Sequence, residues 1–461
     1  MERRVERMSF ESINPATGEL LARFAGCTDA ELWDRVNVAA VVQKEWALAS
    51  FAVRAVPMRR VAEILRARAE ELAVLMALEM GKPLREGRAE ILKSAGACDF
   101  YAENAERFLA PREESSDASR SYVRYDSLGV VLAVMPWNFP FWQVFRFIAP
   151  QLMAGNGGVL KHASNVPQCA LAIEGILREA GFPEHLFSTL LAKASQVPAL
   201  IAHPLVAGVT LTGSEAAGLA VAVEAARVLK PVVLELGGSD PFIVLKDADI
   251  QTAAVVGAAS RTLNAGQSCI GAKRFIVDTA VHDVFLEALV SEMSKIVPGS
   301  PLDPETGIGP LARMNLRDEL HAQVVCALAH GARLELGGLL PEGAGAFYPA
   351  TVLSGVSANN PVYREEVFGP VAAVIRAEDE ADAVRIANDS RFGLGASLWT
   401  QCAARAEKWI PRIEAGAVFV NGLVKSDPRL PFGGIKVSGL GRELGVEGIR
   451  AFMNVKTVWI R

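Results

Sequence analysis

The strongest constraint in the sequence is an alternation, over residues 129–278, of short apolar runs with helix-length amphipathic runs. GVVLAVM, GGVLKHA, VAGVTLTG and PVVLELGG have the β-rich composition of strands, and runs such as FWQVFRFIAPQLMA and QCALAIEGILREA separate them. Strands joined through helices run parallel, and continuously apolar strands are covered on both faces. The pattern predicts a doubly wound α/β sheet that binds its ligands at the carboxyl ends of the strands.

The length of 461 residues exceeds a single hydrophobic core and predicts two or more domains. A net charge of −5 offers no basic field for nucleic acid or an anionic membrane, so neither is expected as a partner. The N-terminal charges precede no apolar h-region, and no long apolar run occurs, which predicts a cytoplasmic protein. Six scattered cysteines without CxxC spacing indicate neither a disulfide framework nor a metal site.

Two further regions flank this alternation. Residues 56–108 are helical in pattern and rich in Ala, Glu and Arg, and we expect them to cover a face of the sheet without contributing to the chemistry. After residue 269, AKRFIVD has the pattern of a strand and residues 281–296 that of a helix. The sequence around residue 269 therefore lies where two α/β domains are expected to meet.

Cys269 lies among small residues in NAGQSCIGAK. The run from Ile250 to Leu263 has a helical pattern that Gly266 ends, so we expect the thiol on a turn, where a nucleophile is useful. The other cysteines lack this setting, and three lie in apolar helix-like runs such as HAQVVCALAH, which predicts core positions. These other cysteines are Cys27, Cys98, Cys169, Cys326 and Cys402.

Three more stretches combine strand ends with polar groups. Asn138 in MPWNFPFW follows a strand, where an asparagine is usually a turn residue. Glu235 ends an apolar strand in LELGGSDP, so burial should raise the pKa of its carboxyl toward that of a general base. LTGSEAAG carries Gly213 and Ser214 at a strand–helix turn that could bind phosphate, although this signal alone is weak.

Together these stretches resemble the aldehyde dehydrogenase family. PWNFP, LTGS, LELGG, GQSC, EEVFGP and PFGGIKVSGLGRE occur in the family's order across nearly the whole chain. The resemblance implies an α/β fold with a Rossmann-type parallel-sheet cofactor domain, an α/β catalytic domain and a small β oligomerisation hairpin. The implied bounds are 1–110 and 129–237 for the dinucleotide-binding domain, 238–437 for the catalytic domain, and 111–128 with 450–461 for the oligomerisation segment.

The resemblance also implies the chemistry. Cys269 would attack the aldehyde, Asn138 and the Cys269 N–H would hold the oxyanion, and Glu235 would activate the water that hydrolyses the thioester. The cofactor would be NAD or NADP. Ser164 stands where many NAD-preferring relatives have a glutamate, so nothing evident excludes NADP, and His162 could either add charge or pack against the strand. The residues assigned to the cofactor are Trp137, Lys161, Ser164, Gly213, Ser214 and Glu366.

The best indication of the substrate is Arg146, in an otherwise uncharged segment. A buried guanidinium needs an anion, which could be an internal carboxylate that the sequence does not locate or a carboxylate of the substrate. Resemblance to bacterial succinate-semialdehyde dehydrogenases favours the substrate. Some of these carry a second arginine where this chain has Leu263; whether Arg261 compensates is open, and Ser426 could supply a hydrogen bond instead.

Three alternatives to succinate semialdehyde oxidation stay open. The chain could be a broad-specificity aliphatic aldehyde dehydrogenase, or a CoA-acylating one, although Glu235 argues against the latter. It could also be a non-catalytic binding protein on the same fold. The family resemblance further implies a homodimer or homotetramer.

Overall fold

The structure is a computed structural model that describes residues 9–461. Its strands are β1 (Ser9–Ile13), β2 (Leu20–Ala25), β3 (Arg112–Glu113), β4 (Arg120–Ser127), β5 (Val130–Met135), β6 (Gly157–His162), β7 (Phe187–Thr189), β8 (Val206–Thr212), β9 (Val232–Glu235), β10 (Pro241–Val244), β11 (Arg274–Asp278), β12 (Arg333–Leu336), β13 (Thr351–Ser354), β14 (Val371–Ala377), β15 (Gly395–Trp399), β16 (Ala417–Val420), β17 (Gly439–Leu440) and β18 (Met453–Ile460).

The α-helices are α1 (Asp29–Trp46), α2 (Phe51–Ala67), α3 (Ala69–Met80), α4 (Leu84–Phe108), α5 (Trp142–Met153), α6 (Pro167–Glu179), α7 (Val197–Ala202), α8 (Glu215–Arg227), α9 (Ile250–Thr262), α10 (His282–Ser294), α11 (Met314–Ala329), α12 (Pro361–Arg364), α13 (Glu380–Asn388), α14 (Ala403–Trp409) and α15 (Gly445–Arg450).

The first large sheet has the strand order β17-β9-β8-β5-β6-β7. Strands β9, β8, β5, β6 and β7 pair in parallel, and β17 joins β9 antiparallel. Alternate residues of β5 enter different cores: Val131 and Ala133 pack with α5, whereas Val130 and Leu132 pack with α1. Burial on both faces confirms the doubly wound sheet expected from the apolar strands.

The second large sheet has the order β12-β13-β14-β11-β10-β15-β16. Its pairs are parallel except β12 with β13. The predicted strand AKRFIVD is β11 and the predicted helix at 281–296 is α10, so both predictions are confirmed. Ile243 and Phe242 of β10 enter cores on opposite faces, which makes this sheet a second covered layer.

A smaller antiparallel sheet joins distant parts of the chain in the order β18-β4-β3. Strand β18 pairs with the whole of β4, from Met453 opposite Ser127 to Ile460 opposite Arg120. The strand β18 is an edge, and it exposes Val455 by 62% and Trp459 by 49%.

Helices of residues 56–108 lie one layer further out than expected. Helices α2 and α4 pack on α5, and α3 packs on α6, because α5 and α6 already fill that face of the sheet.

A second difference concerns Cys326, which is exposed on α11, so its predicted core position is wrong. Apolar residues surround it in sequence, but only one stripe of a helix faces the core. Cys98 and Cys169 are buried as expected.

The domain bounds stay a prediction, and the first eight residues of the predicted dinucleotide-binding domain lie outside the described residues. Within residues 9–461, none of the helices has the length and apolar character needed to cross a membrane.

Candidate active site

Four parallel strands of the first sheet end at one edge, and the predicted polar residues follow them there. Because β5, β6, β8 and β9 are neighbours and run in the same direction, their carboxyl ends meet. This edge carries Trp137, Asn138, Lys161, Ser164, Gly213, Ser214 and Glu235.

The turn that carries Cys269 comes from the second sheet. Helix α9 ends at Thr262, a short 3-10 helix follows, and Gly266 has a φ of +73°. A Cβ on Gly266 would lie 2.2 Å from the backbone of Gly369, so this position needs glycine for both conformation and space. The turn leaves Cys269 half-buried, as expected from the sequence.

Lys273 stabilises the Cys269 turn through hydrogen bonds to backbone carbonyls. Its ammonium donates to the carbonyls of Cys269 at 2.8 Å and Ser268 at 3.0 Å, and it lies 3.6 Å from a carboxylate oxygen of Glu366. Burial raises the pKa of the Cys269 thiol to about 12, and the nearby Arg146 and Lys273 oppose this shift. In the protein alone the thiol is therefore mostly protonated at neutral pH.

Asn138 contacts the segment just before the nucleophile. Its Nδ2 donates to the carbonyl of Gln267 at 3.1 Å, which leaves one side-chain N–H to bind elsewhere. No acceptor within residues 9–461 takes the backbone N–H of Cys269. The Asn138 amide, hydrogen-bonded two residues before the nucleophile, and the Cys269 backbone each therefore keep one N–H free to donate.

A buried ion pair fixes the backbone around Asn138. Lys82 pairs with Glu90, donates to the Asn138 carbonyl at 2.8 Å, and lies 3.8 Å from the ring centroid of Phe139. Glu90 accepts from the backbone N–H of Phe141 at 2.8 Å and of the next residue at 2.9 Å. The loop of Asn138 is therefore held by Lys82, just before α4, and by Glu90 of α4.

Glu235 is buried, 2% exposed, and neither of its carboxylate oxygens has a hydrogen-bond partner among the described residues. Burial raises the pKa of this carboxyl well above its usual range; Arg146 opposes the shift and Glu443 adds to it. The direction is the one expected from its place in an apolar strand. A Cβ on Gly433 would lie 2.6 Å from its Oε1, so the carboxylate packs directly on a glycine backbone.

Arg146 has the internal partner that the sequence did not locate. Its guanidinium forms a buried ion pair with Glu443, donates to Thr212 Oγ1 at 3.1 Å, and lies 4.8 Å from the ring centroid of Phe432. The positive charge of the Arg146 guanidinium is therefore already neutralised by the Glu443 carboxylate. Its binding of a substrate carboxylate stays a prediction.

A cavity of about 280 Å³ opens beside the thiol. Cys269, Arg146 and Ser426 all line it, so the structure brings these three predicted residues together. Arg261 does not line it: its side chain is buried and donates to the Gly266 carbonyl at 2.5 Å. Leu263 lines the cavity, and Arg261 does not replace the arginine missing there.

Helix α4 supplies the cavity with charges that the sequence analysis missed. The cavity is lined by Arg85, Glu86, Glu90 and Lys93, so part of residues 56–108 reaches the candidate site, which the sequence did not lead us to expect. The spacing 86, 90, 93 was the available signal, because it places these charged residues on one helical face.

Glu366 approaches the same edge from the second sheet. It accepts from the Gly238 N–H at 3.0 Å, and a Cβ on Gly237 would lie 2.4 Å from its Oε2. Trp137 contacts Phe368 edge-to-face at 5.9 Å between ring centroids. The EEVFGP segment of the second sheet therefore contacts the strand ends of the first sheet, next to the predicted cofactor residues.

The remaining predicted cofactor residues line the strand ends of the first sheet. Burial lowers the pKa of Lys161, and Ser164 is exposed three residues later. The Gly213 N–H donates to the Glu235 carbonyl at 3.0 Å, and Ser214 Oγ accepts from the Ala217 N–H at 3.3 Å to cap α8. The N-terminus of α8 thus points to this edge, a setting that favours an anion.

His162 packs into the sheet and does not add charge. It is buried, its Nε2 lies 3.0 Å from the Pro140 carbonyl, and its Nδ1 accepts from the Ala163 N–H at 2.8 Å. One ring nitrogen donates and the other accepts, which is the neutral tautomer, and burial lowers the pKa to about 4. Of the two alternatives for this residue, the structure supports packing.

Comparisons with known proteins agree with this geometry. The sequence profile of the aldehyde dehydrogenase family matches residues 3–458. A succinate-semialdehyde dehydrogenase [NADP(+)] of Mycobacterium avium is 50% identical, over 98% of this chain and 97% of the relative. A probable succinate-semialdehyde dehydrogenase [NADP(+)] of Synechocystis is also 50% identical, over 98% of this chain and all of the relative.

A solved structure extends the likeness to three dimensions. The succinic semialdehyde dehydrogenase of Streptococcus pyogenes, in complex with NADP+ as the cofactor, superposes with a TM-score of 0.96 at 39% identity, covering 98% of this chain and 99% of that one. The fold is thus shared over nearly the full length, and this chain belongs to the aldehyde dehydrogenase family.

Proposed function

We propose that this enzyme oxidises succinate semialdehyde to succinate with NADP or NAD. The observation that carries the proposal is that one cavity holds the Cys269 thiol together with cationic and hydroxyl side chains, including Arg146 and Ser426. An aldehyde with a carboxylate at its other end matches this pairing of a nucleophile with positive charge. The names of relatives at 50% identity support the same substrate.

The Cys269 thiol loses its proton to solvent as its sulfur bonds to the aldehyde carbon, and the electron pair of the carbonyl π bond moves to the oxygen, so the product is a thiohemiacetal oxyanion. The developing oxyanion accepts hydrogen bonds from the Asn138 side chain and the Cys269 N–H, both of which are available in the structure. Because Lys82 and Glu90 hold the loop of Asn138, this donor is fixed before substrate arrives. The site is therefore preorganised for charge that develops in the transition state.

The second stage needs an oxidant and then water. When bound, the nicotinamide cofactor supplies a hydride acceptor. The N-terminus of α8, and Glu366 where it contacts the Gly238 backbone, fit a dinucleotide along the strand ends. The residues that would hold the cofactor there are Trp137, Lys161, Ser164, Gly213, Ser214 and Glu366. Loss of hydride leaves a thioester on Cys269. Glu235 then takes a proton from the water that attacks the thioester, releasing the carboxylic acid and the thiol.

A broad-specificity aliphatic aldehyde dehydrogenase is the second candidate. The ion pair of Arg146 with Glu443 favours it, because a balanced guanidinium attracts a substrate carboxylate less strongly. The two candidates differ in one measurable quantity, the preference for a carboxylated aldehyde over an uncharged one.

The test is the rate of nicotinamide reduction with purified protein and a panel of aldehydes. We expect kcat/KM for succinate semialdehyde to exceed that for butanal, which has the same chain length without the carboxylate, by about 100-fold or more. Equal values would support the broad-specificity enzyme. Absence of reduction with every aldehyde would support a non-catalytic protein.

We also propose that the chain forms a homodimer or homotetramer through the sheet of β3, β4 and β18. The exposed apolar residues on the edge strand β18, Val455 and Trp459 among them, support this surface. Light scattering tests it, with a monomer as the contradicting result. The cytoplasmic location stays a prediction from the sequence.

A further inference from the structure

Lys93 lies in the cavity beside Cys269 and has no assigned role. It projects from α4, lines the same cavity as Arg146 and Ser426, and is partly shielded from water by Trp142. Its Nζ donates to Ser426 Oγ at 2.7 Å and lies 4.2 Å from the ring centroid of Trp142. A flexible lysine is thus held in one position by a hydroxyl and an indole.

Lys93 forms no ion pair within residues 9–461; Glu90 and Asp427 act on its charge without pairing with it directly. Its helix neighbour Lys82 pairs with Glu90, and Arg146 pairs with Glu443, but the ion pairs of the described residues do not include Lys93. Removing an ammonium from water without a counter-ion is costly. Such a group in a cavity is a ready partner for an anion.

Ser426 adds a directed contact at the same point. Its oxygen accepts from Lys93 and from Trp142 Nε1, the latter at 3.1 Å, so its own O–H remains to donate. An ammonium and a hydroxyl proton side by side match the two oxygens of a carboxylate. Arg146, balanced by Glu443, supplies weaker attraction to the same group.

We propose that Lys93 binds the carboxylate of the substrate beside Ser426, and that Lys93 sets the preference for short aldehydes with a terminal carboxylate. This proposal rests on the proposed oxidation of succinate semialdehyde. The preference for a carboxylated aldehyde would then depend on a residue of helix α4.

The same placement predicts a dependence of substrate binding on pH. The charged groups around Lys93 are Arg146 from α5, Lys425 and Asp427 from the loop before β17, and Glu90 from its own helix. Burial, followed by Arg146, lowers the pKa of Lys93 to about 8. Below this pH the ammonium is charged and binds a carboxylate; as the pH rises through it, the charge is lost and KM rises.

The test compares Lys93→Met with Lys93→Arg on succinate semialdehyde and butanal. Lys93→Met keeps the length and removes the charge, so KM for succinate semialdehyde should rise about 30-fold with kcat changed by less than about threefold. Butanal should be oxidised as by the parent, which also shows that the variant is folded. Arg88→Met, which removes an exposed charge from the same helix, is the matched control.

The pH profile provides a readout that a merely structural lysine would not move. In the parent, the ratio of KM for succinate semialdehyde to KM for butanal should rise above about pH 8, and in Lys93→Arg it should rise less because the guanidinium stays charged. Burial raises the pKa of Glu86, also in the cavity, to about 7, and Glu86 is present in both proteins. The difference between the two pH profiles therefore reports Lys93.

Two failures are distinguishable. A parent enzyme that prefers succinate semialdehyde, with a Lys93→Met variant that retains this preference, would overturn the role of Lys93 and leave the proposed function standing. A parent enzyme without the preference would overturn the proposed function itself, and this inference with it.

Discussion

Arg146 and Glu443 form an ion pair in the interior, with side chains 2% and 6% exposed. Glu235 lies close enough that Arg146 lowers its pKa and Glu443 raises it. One guanidinium thus faces two carboxylates, and burial raises the pKa of Glu443 as well. The pKa values of these two carboxyl groups, Glu235 and Glu443, therefore depend on each other, and the two groups titrate as a pair.

This pair predicts an unequal effect of single and double substitutions on stability. Arg146→Met leaves Glu443 buried without a cation, which should cost about 3–5 kcal/mol. Combining Arg146→Met with Glu443→Met removes both charges and should restore much of the loss. Thermal melting measures this: the double variant should melt at a higher temperature than Arg146→Met. A lower melting temperature for the double variant would show that Arg146 does not stabilise the protein by neutralising Glu443.

The sequence could not locate Glu443, and the reason is topological. Its segment, GLGRELG, reads as a glycine-rich loop without chemistry. The short strand β17 then pairs antiparallel with β9, placing Gly439 opposite Glu235 and carrying Glu443 toward Arg146. A two-residue strand has no hydrophobic periodicity, and its partner lies in a distant part of the chain. Contacts of this kind arise from tertiary packing.

The parallel strands and the cysteine turn, by contrast, were accessible from local pattern. Continuous apolar runs specify buried strands, and Gly266 specifies a backbone that only glycine fits. Glu235 followed from its place at the end of an apolar strand, whereas the role of Asn138 came only from the family resemblance. The position of Lys93 in the cavity could not be predicted from the sequence, because a lysine on a helix is usually solvated. Only the packing of α4 on α5 places its side chain in the cavity.

The raised pKa of Cys269 predicts steep pH dependence of alkylation. Below a pKa of about 12 the thiolate fraction rises about tenfold per pH unit, so iodoacetamide should inactivate cofactor-free enzyme progressively faster between about pH 6.5 and 9.5. Cys326 and Cys402 are exposed and would also react, so the measurement uses a Cys326→Ser/Cys402→Ser background. A plateau near neutral pH would show a stabilised thiolate.

Replacing the nucleophile itself should separate chemistry from binding. Cys269→Ser should abolish oxidation, because a serine hydroxyl ionises far less readily than a thiol and is a weaker nucleophile, while cofactor affinity and melting temperature stay near those of the parent. Activity is measured by nicotinamide reduction and affinity by calorimetry. Oxidation near the parent rate would refute the assignment of Cys269.

Glu235→Gln should stall the second half of the reaction. The amide keeps the shape but cannot take a proton from water, so stopped-flow absorbance should show a burst of about one equivalent of reduced cofactor per site, then slow turnover. In the parent, burial keeps the carboxyl protonated to higher pH, so steady-state turnover should rise with pH as it ionises. The variant should lack this rise. A missing burst would place Glu235 before hydride transfer.

Cofactor choice depends on Ser164, since His162 is neutral and faces Pro140. An exposed serine near Lys161 can donate to a 2′-phosphate, and no described carboxylate stands at this position to repel one. We expect both cofactors to work, with kcat/KM values within about 30-fold, equivalent to about 2 kcal/mol. Ser164→Glu should move the preference toward NAD, whereas Ser164→Gln, of similar size without charge, should move it less, since repulsion acts on the phosphate alone. Initial rates with each cofactor measure both, and a parent preference for NAD above about a thousandfold would show that another group guards the 2′ position.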